Sequence, residues 1–349
     1  MEQVDSPGDS AVAPAGRWSR VGLWGLTLGV ASSVALVVYY GADDVAAAVA
    51  SAGSGIAVVV LCHLAQLMAE SMGWQAVLAR EGRPATGTFV WGRWLAESIN
   101  DLLPVLQVGG NVVRAQVLAN AGVAGATAGA SVVVDMTLIM STQVVFTVAG
   151  ICLLPLYVDP GRVLGEVVAG LVLISGMLAG LLVVQRSGLL GRLASALERN
   201  FEAPGQRALV ASAAGLDAEV RRLYQSRRML IAASAWHLGG WLLGAAEVWV
   251  GLRFLGYPVT LPAAIMWESL GEVARTAAFV VPGAFGVQEG SYIVLGRLLG
   301  VPPEAALALS LIRRARELIL GVPGVLAWRT HAAAGQLRRA RARPFPEAE

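Results

Sequence analysis

Apolar residues along this chain come in long blocks rather than in an amphipathic rhythm. Blocks at 21–40, 56–78, 125–154, 163–184, 230–255 and 305–328 approach or exceed the roughly 20 residues that carry a helix across a hydrocarbon core. Two stretches break the pattern. Residues 97–114 mix acids, amides, a proline and two glycines, and residues 268–290 do much the same about half a chain later. Lipid satisfies neither a broken backbone nor a carboxylate, so such stretches must line a cavity or lie buried in protein. Interrupted segments at corresponding places in two halves are the sequence mark of a transporter-like binding site. The pattern predicts an all-α polytopic membrane protein.

Arginine sets the expected topology, because cytoplasmic flanks carry an excess of basic residues. Arg17 and Arg20 precede the first block, whereas the loop at 41–55 holds Asp43 and Asp44 and no arginine, so it faces out. Arg80, Arg83 and Arg93 face in, as do the arginines of 186–228 and those of the tail from Arg329 to Arg343; the uncharged loop at 256–261 faces out. Between the inside positions at Arg83 and Arg186 the number of crossings must be even, and the blocks around Asp135 and Gly176 supply it. The Glu97 segment is then left to dip in from the cytoplasm and return. The same reasoning makes 268–290 dip in from the outer side. The expectation is about six membrane-crossing helices plus two opposed re-entrant, broken-helix hairpins, in a single transmembrane domain at 21–328 between cytoplasmic tails at 1–20 and 329–349.

Landmarks also recur at a nearly constant offset of half the chain. His63 and His237 precede the two broken segments, Glu97 corresponds to Glu272, Pro104 to Pro282, and Ser131 to Ser310. With three crossings between equivalents, the halves would be inverted repeats, about 55–184 and 229–328, joined by a cytoplasmic linker at 185–228. Coincidence among common residue types is the alternative.

The polar constellations each admit two readings. Glu97, Asn100, Asp101 and Pro104 share one helix face; Pro104 ends the helix, Gly109 and Gly110 permit a reversal, and Arg114 is a candidate counter-charge. An interfacial amphipathic helix is the plainer reading. Glu268, Glu272 and Arg275 share a face before the break formed by Pro282, Gly283, Gly286, Gln288, Glu289 and Gly290. Its exposed amides suit an anionic head group, or Glu272 and Arg275 merely neutralise each other. Arg313 and Glu317 are spaced as an i,i+4 pair, and Asp135, alone in its block, is the candidate partner for an arginine of the last block. Arg314 is read either as a phosphate ligand or as charge compensation. His63, Gln66 and Glu70 form a stripe that is a proton relay or, more plainly, a hydrogen-bonded seam. His237 and Glu247 read as structural.

Composition narrows the chemistry. The chain is 56% hydrophobic and 14% charged with a mean hydropathy of +0.63, outside the range of a soluble domain. All 26 basic residues are arginine, which excludes lysine Schiff-base chemistry. Cys62 and Cys152 lie in apolar blocks and read as packing residues. Three histidines argue no metal site, and no phosphate loop, nucleophile elbow or zinc-protease motif is present. No cofactor, ATP site or nucleic-acid partner is expected, and the oligomeric state is open. The segment from Met1 to Arg20 lacks the basic region of a secretory signal, so block 21–40 reads as a retained span, a cleaved signal being the alternative.

The stretch ESINDLLPVLQVGGNVVRAQVL with ASVVVDMT, then PGAFGVQEGSYIVLG and LSLIRRARELILGVPGVLAW, resembles the flippase-like transmembrane domain of lysylphosphatidylglycerol synthases. It resembles still more closely the stand-alone branch known as the hopanoid-biosynthesis-associated membrane protein. The similarity runs over about 21–328. Glu97, Asn100, Pro104, Gly109, Gly110 and Arg114 occupy the first motif, and Pro282, Gly283, Gly286, Gln288, Glu289 and Gly290 the second. The resemblance implies a multi-pass protein of the bacterial inner membrane that moves or handles lipids, hopanoid or phospholipid, beside other hopanoid-pathway membrane proteins. The soluble aminoacyl-transferase domain is not in this sequence, so that activity is not carried over. A lipid-modifying enzyme and a non-transporting scaffold are the competing readings.

Overall fold

The computed structural model describes residues 42–78, 83–103, 109–157, 206–278 and 284–341, with scattered positions in 31–40 and 165–180 and at 281. Among these residues every regular element is a helix. In chain order they are α1 (Ala42–Ser51), α2 (Gly55–Val77), α3 (Thr86–Leu102), α4 (Gly109–Asn120), α5 (Gly125–Leu153, followed by a single 3-10 turn), α6 (Gln206–Tyr224), α7 (Arg227–Phe254), α8 (Leu261–Ala277), α9 (Val287–Leu298) and α10 (Pro303–Arg341). Three of them, α2, α5 and α7, are long and apolar enough to cross a membrane. The expected blocks at 21–40 and 163–184 lie largely outside the described residues, as do Pro104, Pro282 and Gly283.

Helix α2 packs antiparallel against α7 through small residues. A Cβ on Gly55 would strike Phe254 and one on Gly73 the His237 ring, while one on Gly240 would press on the Glu70 side chain; on its α8 side, a Cβ on Gly244 of α7 would strike the Glu268 carboxylate. Apolar side chains gain little by leaving lipid for a helix interface, so close backbone approach and polar contacts hold such pairs. Around this pair α3 packs on α10 and α8 packs on α5. Trp94 Nε1 donates to the Leu320 carbonyl at 2.9 Å, and Gln143 Nε2 donates to Thr276 Oγ1 at 2.7 Å. Trp267, Tyr292, Val248 and Leu309 fill one end of the core, and Trp74, Phe89 and Leu118 a second cluster.

Both broken segments have local causes. α3 ends at Leu103 in an extended conformation (φ −114°, ψ 143°), the backbone that a following proline imposes. α4 then starts at Gly109, with the Gly110 amide donating to Asn100 Oδ1 at 2.9 Å. Gly109 and Gly110 therefore open a helix rather than form the reversal itself. Gly110 is needed for proximity, because a Cβ there would collide with the Ala96 carbonyl. Ahead of the second segment Thr260 caps the start of α8 by accepting from the Ala263 amide. Gly286 does make a turn that favours glycine, at φ +79°, and its amide donates to Glu289 Oε2 at 2.7 Å, capping α9. Gly290, expected in the break, lies inside α9 with open space beside it.

Candidate functional site

Two charged clusters occupy the interior. The first is centred on Asp135 of α5, which is fully buried. Arg114 of α4 pairs with it, His237 Nε2 of α7 lies 2.9 Å away, and Arg93 of α3 reaches it at 3.5 Å. Arg93 also pairs with Glu70 of α2, whose Oε1 accepts from Gln66 Nε2. The Arg114 guanidinium stacks over the Trp74 ring at 4.1 Å, and Trp74 in turn donates to Ser131. The cluster gives the helix pair and the first broken segment one shared anchor.

The second cluster is centred on Glu247 of α7, also fully buried. Arg316 Nη1 lies 2.6 and 2.7 Å from its two carboxylate oxygens, and Arg313 Nε lies 2.8 Å from one of them. Arg313 continues to Glu268 at 2.8 Å and to the Tyr292 hydroxyl. Next to it, Arg314 pairs with Glu289 at 3.2 Å and Glu317 at 2.9 Å while covering the Phe285 ring. Arg275 pairs with Glu317 at 3.3 Å and Glu272 at 3.5 Å and donates to Gln288. Gln288 donates to Ser310, which faces Glu289.

An open cavity of about 290 Å³ lies against the first cluster. Glu70, Arg93, Glu97, Asn100, Asp101, Asn111 and Arg114 make its polar side, and Met136, Ile139 and Met140 of α5 its apolar wall. A charged floor beside an apolar wall is the chemistry that would receive an amphiphile.

The structure brings Glu97, Asn100, Asp101 and Arg114 to this cavity, with Asp135 behind Arg114, and gathers Glu272, Arg275, Gln288, Glu289, Arg313 and Arg314 in the second cluster. Several expected pairings are replaced. Arg114 answers Asp135 rather than Glu97, whose partner is His63 at 2.5 Å. Asp135 pairs with α3, α4 and α7 rather than with an arginine of the last block. Arg313 bonds Glu247 and Glu268, leaving Glu317 to Arg314 and Arg275. The i,i+4 spacing was available, but fully buried carboxylates on α7 and α8 compete for the same guanidinium. Arg93, read from sequence as a cytoplasmic marker, sits within α3 with its charge paired inside. Glu70, Glu247 and Glu268 belong to the site as well. Their signal was present, since carboxylates within apolar blocks are costly unless paired.

A family model described as the lysylphosphatidylglycerol synthase TM region matches residues 23–324. This chain belongs to that family. The match takes in both broken segments and both clusters, so the buried ion pairs lie wholly within the lysylphosphatidylglycerol synthase TM region, a membrane unit related to lipid handling. No curated protein and no solved structure matches the chain.

Proposed function

We propose that this TM-region protein is a flippase-like lipid translocator of the bacterial inner membrane, with both termini cytoplasmic and hopanoid or phospholipid as cargo. The observation that carries this reading is the open cavity with charged groups on α2, α3 and α4 facing an apolar wall on α5. A head group crosses along the ionic side while the tail stays in lipid. Movement needs neither a cofactor nor bond chemistry at the site.

The architecture behind this is two inverted repeats, α2–α5 and α7–α10, each with an opposed re-entrant hairpin, within about six crossings. Element lengths support it. The hairpin helices α3 and α8 both have 17 residues, and α4 and α9 both have 12. At 1.5 Å per residue a 12-residue helix is about 18 Å long, too short for a hydrocarbon core of about 30 Å. Close contacts recur in pairs: Gly150 of α5 meets Ser269 of α8, and Gly324 of α10 meets Ser98 of α3. Cysteine labelling tests the hairpins. In a Cys62→Ala, Cys152→Ala background, cysteines replacing exposed Gly87 and Asn120, at the two ends of the first hairpin, are expected to react together from the cytoplasm. Those replacing exposed Pro262 and Arg297 are expected to react together from outside. Reaction of either pair from opposite faces would make that segment a full span and overturn the inverted arrangement.

Reconstituted protein is expected to accelerate leaflet exchange of labelled lipid, and Glu97→Ala with Glu272→Ala is expected to abolish the exchange while the protein stays folded in the membrane. No acceleration with either phospholipid or hopanoid refutes translocation. A chemically altered lipid seen by mass spectrometry would instead mark an enzyme.

A further inference from the structure

His63 of α2 lies where the two clusters meet. It is 7% exposed. Its Nε2 is 2.5 Å from Glu97 Oε1 on α3, and its Nδ1 faces Glu247 Oε2 on α7 at 3.7 Å without a hydrogen bond. Beside the ring is a cavity of about 10 Å³ lined by His63, Glu97, Asp101 and Glu317 among others, about the space of one water. Glu97 and Asp101 line the large open cavity too, so α3 presents the same two carboxylates to that cavity and to the space beside the ring.

The second histidine lacks the second carboxylate. His237, the counterpart of His63 in the other half, bonds Asp135, which Arg114 and Arg93 already occupy. Gly73 and Glu247 are counterparts at the same offset, so the position facing the His237 ring carries no side chain where His63 meets a carboxylate. His237 has a carboxylate at Nε2 alone, whereas His63 has one at each nitrogen.

We propose that His63 is the proton-binding site through which lipid movement is coupled to a transmembrane proton gradient, an inference that rests on the translocator reading above. A neutral imidazole has one N–H and an imidazolium two. The singly protonated ring donates to one carboxylate only. With a second proton it donates toward both, tying α3, which carries Glu97, to α7, which carries Glu247. Proton uptake thus changes whether the polar side of the lipid cavity is tied through His63 to α7 as well as to α2. The charged groups around the ring are Glu97 and Asp101 from α3, Glu247 from α7, and Arg313, Arg316 and Glu317 from α10, with Cys62 adjacent on α2.

The test uses the full chain in vesicles of phosphatidylethanolamine and phosphatidylglycerol with a trace of head-group-labelled phosphatidylglycerol. An impermeant quencher reads the leaflet ratio of the label under imposed pH differences. Coupling of one proton per lipid shifts that ratio about tenfold per pH unit across the membrane, a sodium difference shifts nothing, and a protonophore removes the effect. H63Q retains a hydrogen-bonding partner for Glu97 but takes up no proton, so its ratio stays flat. Nitrogen-15 spectra of histidine-labelled wild-type protein, assigned against H237Q and H331Q, give a readout that needs no folded H63Q: the His63 ring changes protonation over the pH range in which the ratio responds. Label that exchanges with no response to pH overturns this proposal and leaves translocation standing. A response that survives in H63Q, or a His63 ring locked in one form throughout, also overturns it. Absence of exchange for this label and for a labelled hopanoid alike overturns both readings.

Discussion

Replacing Glu247 with alanine is expected to cost the folded protein about 3–5 kcal/mol, the loss met when one partner of a buried ion pair is removed. The carboxylate is fully buried on α7 and is held by Arg313 and Arg316 of α10 at 2.6–2.8 Å. Without it two guanidinium groups remain inside the bundle with too few acids, and Glu268 is left to share Arg313 alone. Glu247→Gln keeps the shape and part of the hydrogen bonding and is expected to fall between the two. Thermal unfolding in detergent, followed by the surviving monodisperse fraction, reads the effect. A Glu247→Ala melting temperature within about 2 °C of the wild type would mean the pairs contribute almost nothing.

The second large effect is expected from Gly110→Val. The added Cβ meets backbone, the Ala96 carbonyl, and no rotamer change relieves that. α4 must then move off α3, breaking the Gly110–Asn100 bond and shifting Arg114 from Asp135. Overpacking of this kind costs about 1–3 kcal/mol, and lipid exchange is expected to be lost because the cavity lies between the displaced helices. Gly290→Ala is the internal control. It sits in a helix interior with open space around it, so alanine there is expected to be neutral or to stabilise by about 0.5–1 kcal/mol. Equal damage from the two would show that proximity to Ala96 is not what Gly110 supplies.

Sequence by itself determined a good deal. The apolar blocks fixed an all-helical membrane protein, because about 20 apolar residues leave the chain few other ways to satisfy its backbone. The two broken segments were legible for the same reason, and Glu97, Asn100 and Asp101 could be placed on one face because helical periodicity is local. The motifs within those segments were enough to name the family that the match over 23–324 bears out.

Partner choice was decided only by the tertiary structure. Glu97 turned to His63 and not to Arg114, Asp135 to three other helices and not to the last one, and Arg313 to α7 and α8 and not to Glu317 four residues on. A buried charge takes the counter-charge that packing brings within about 3 Å, and in the low-dielectric interior that distance outweighs sequence spacing. Arg93 shows the same limit from the other side, since an arginine within a helix reads as a boundary marker until Glu70 and Asp135 are seen beside it. Likewise the need for glycine at 110 came from the approach of Ala96 on another helix, a distance that only the folded chain sets.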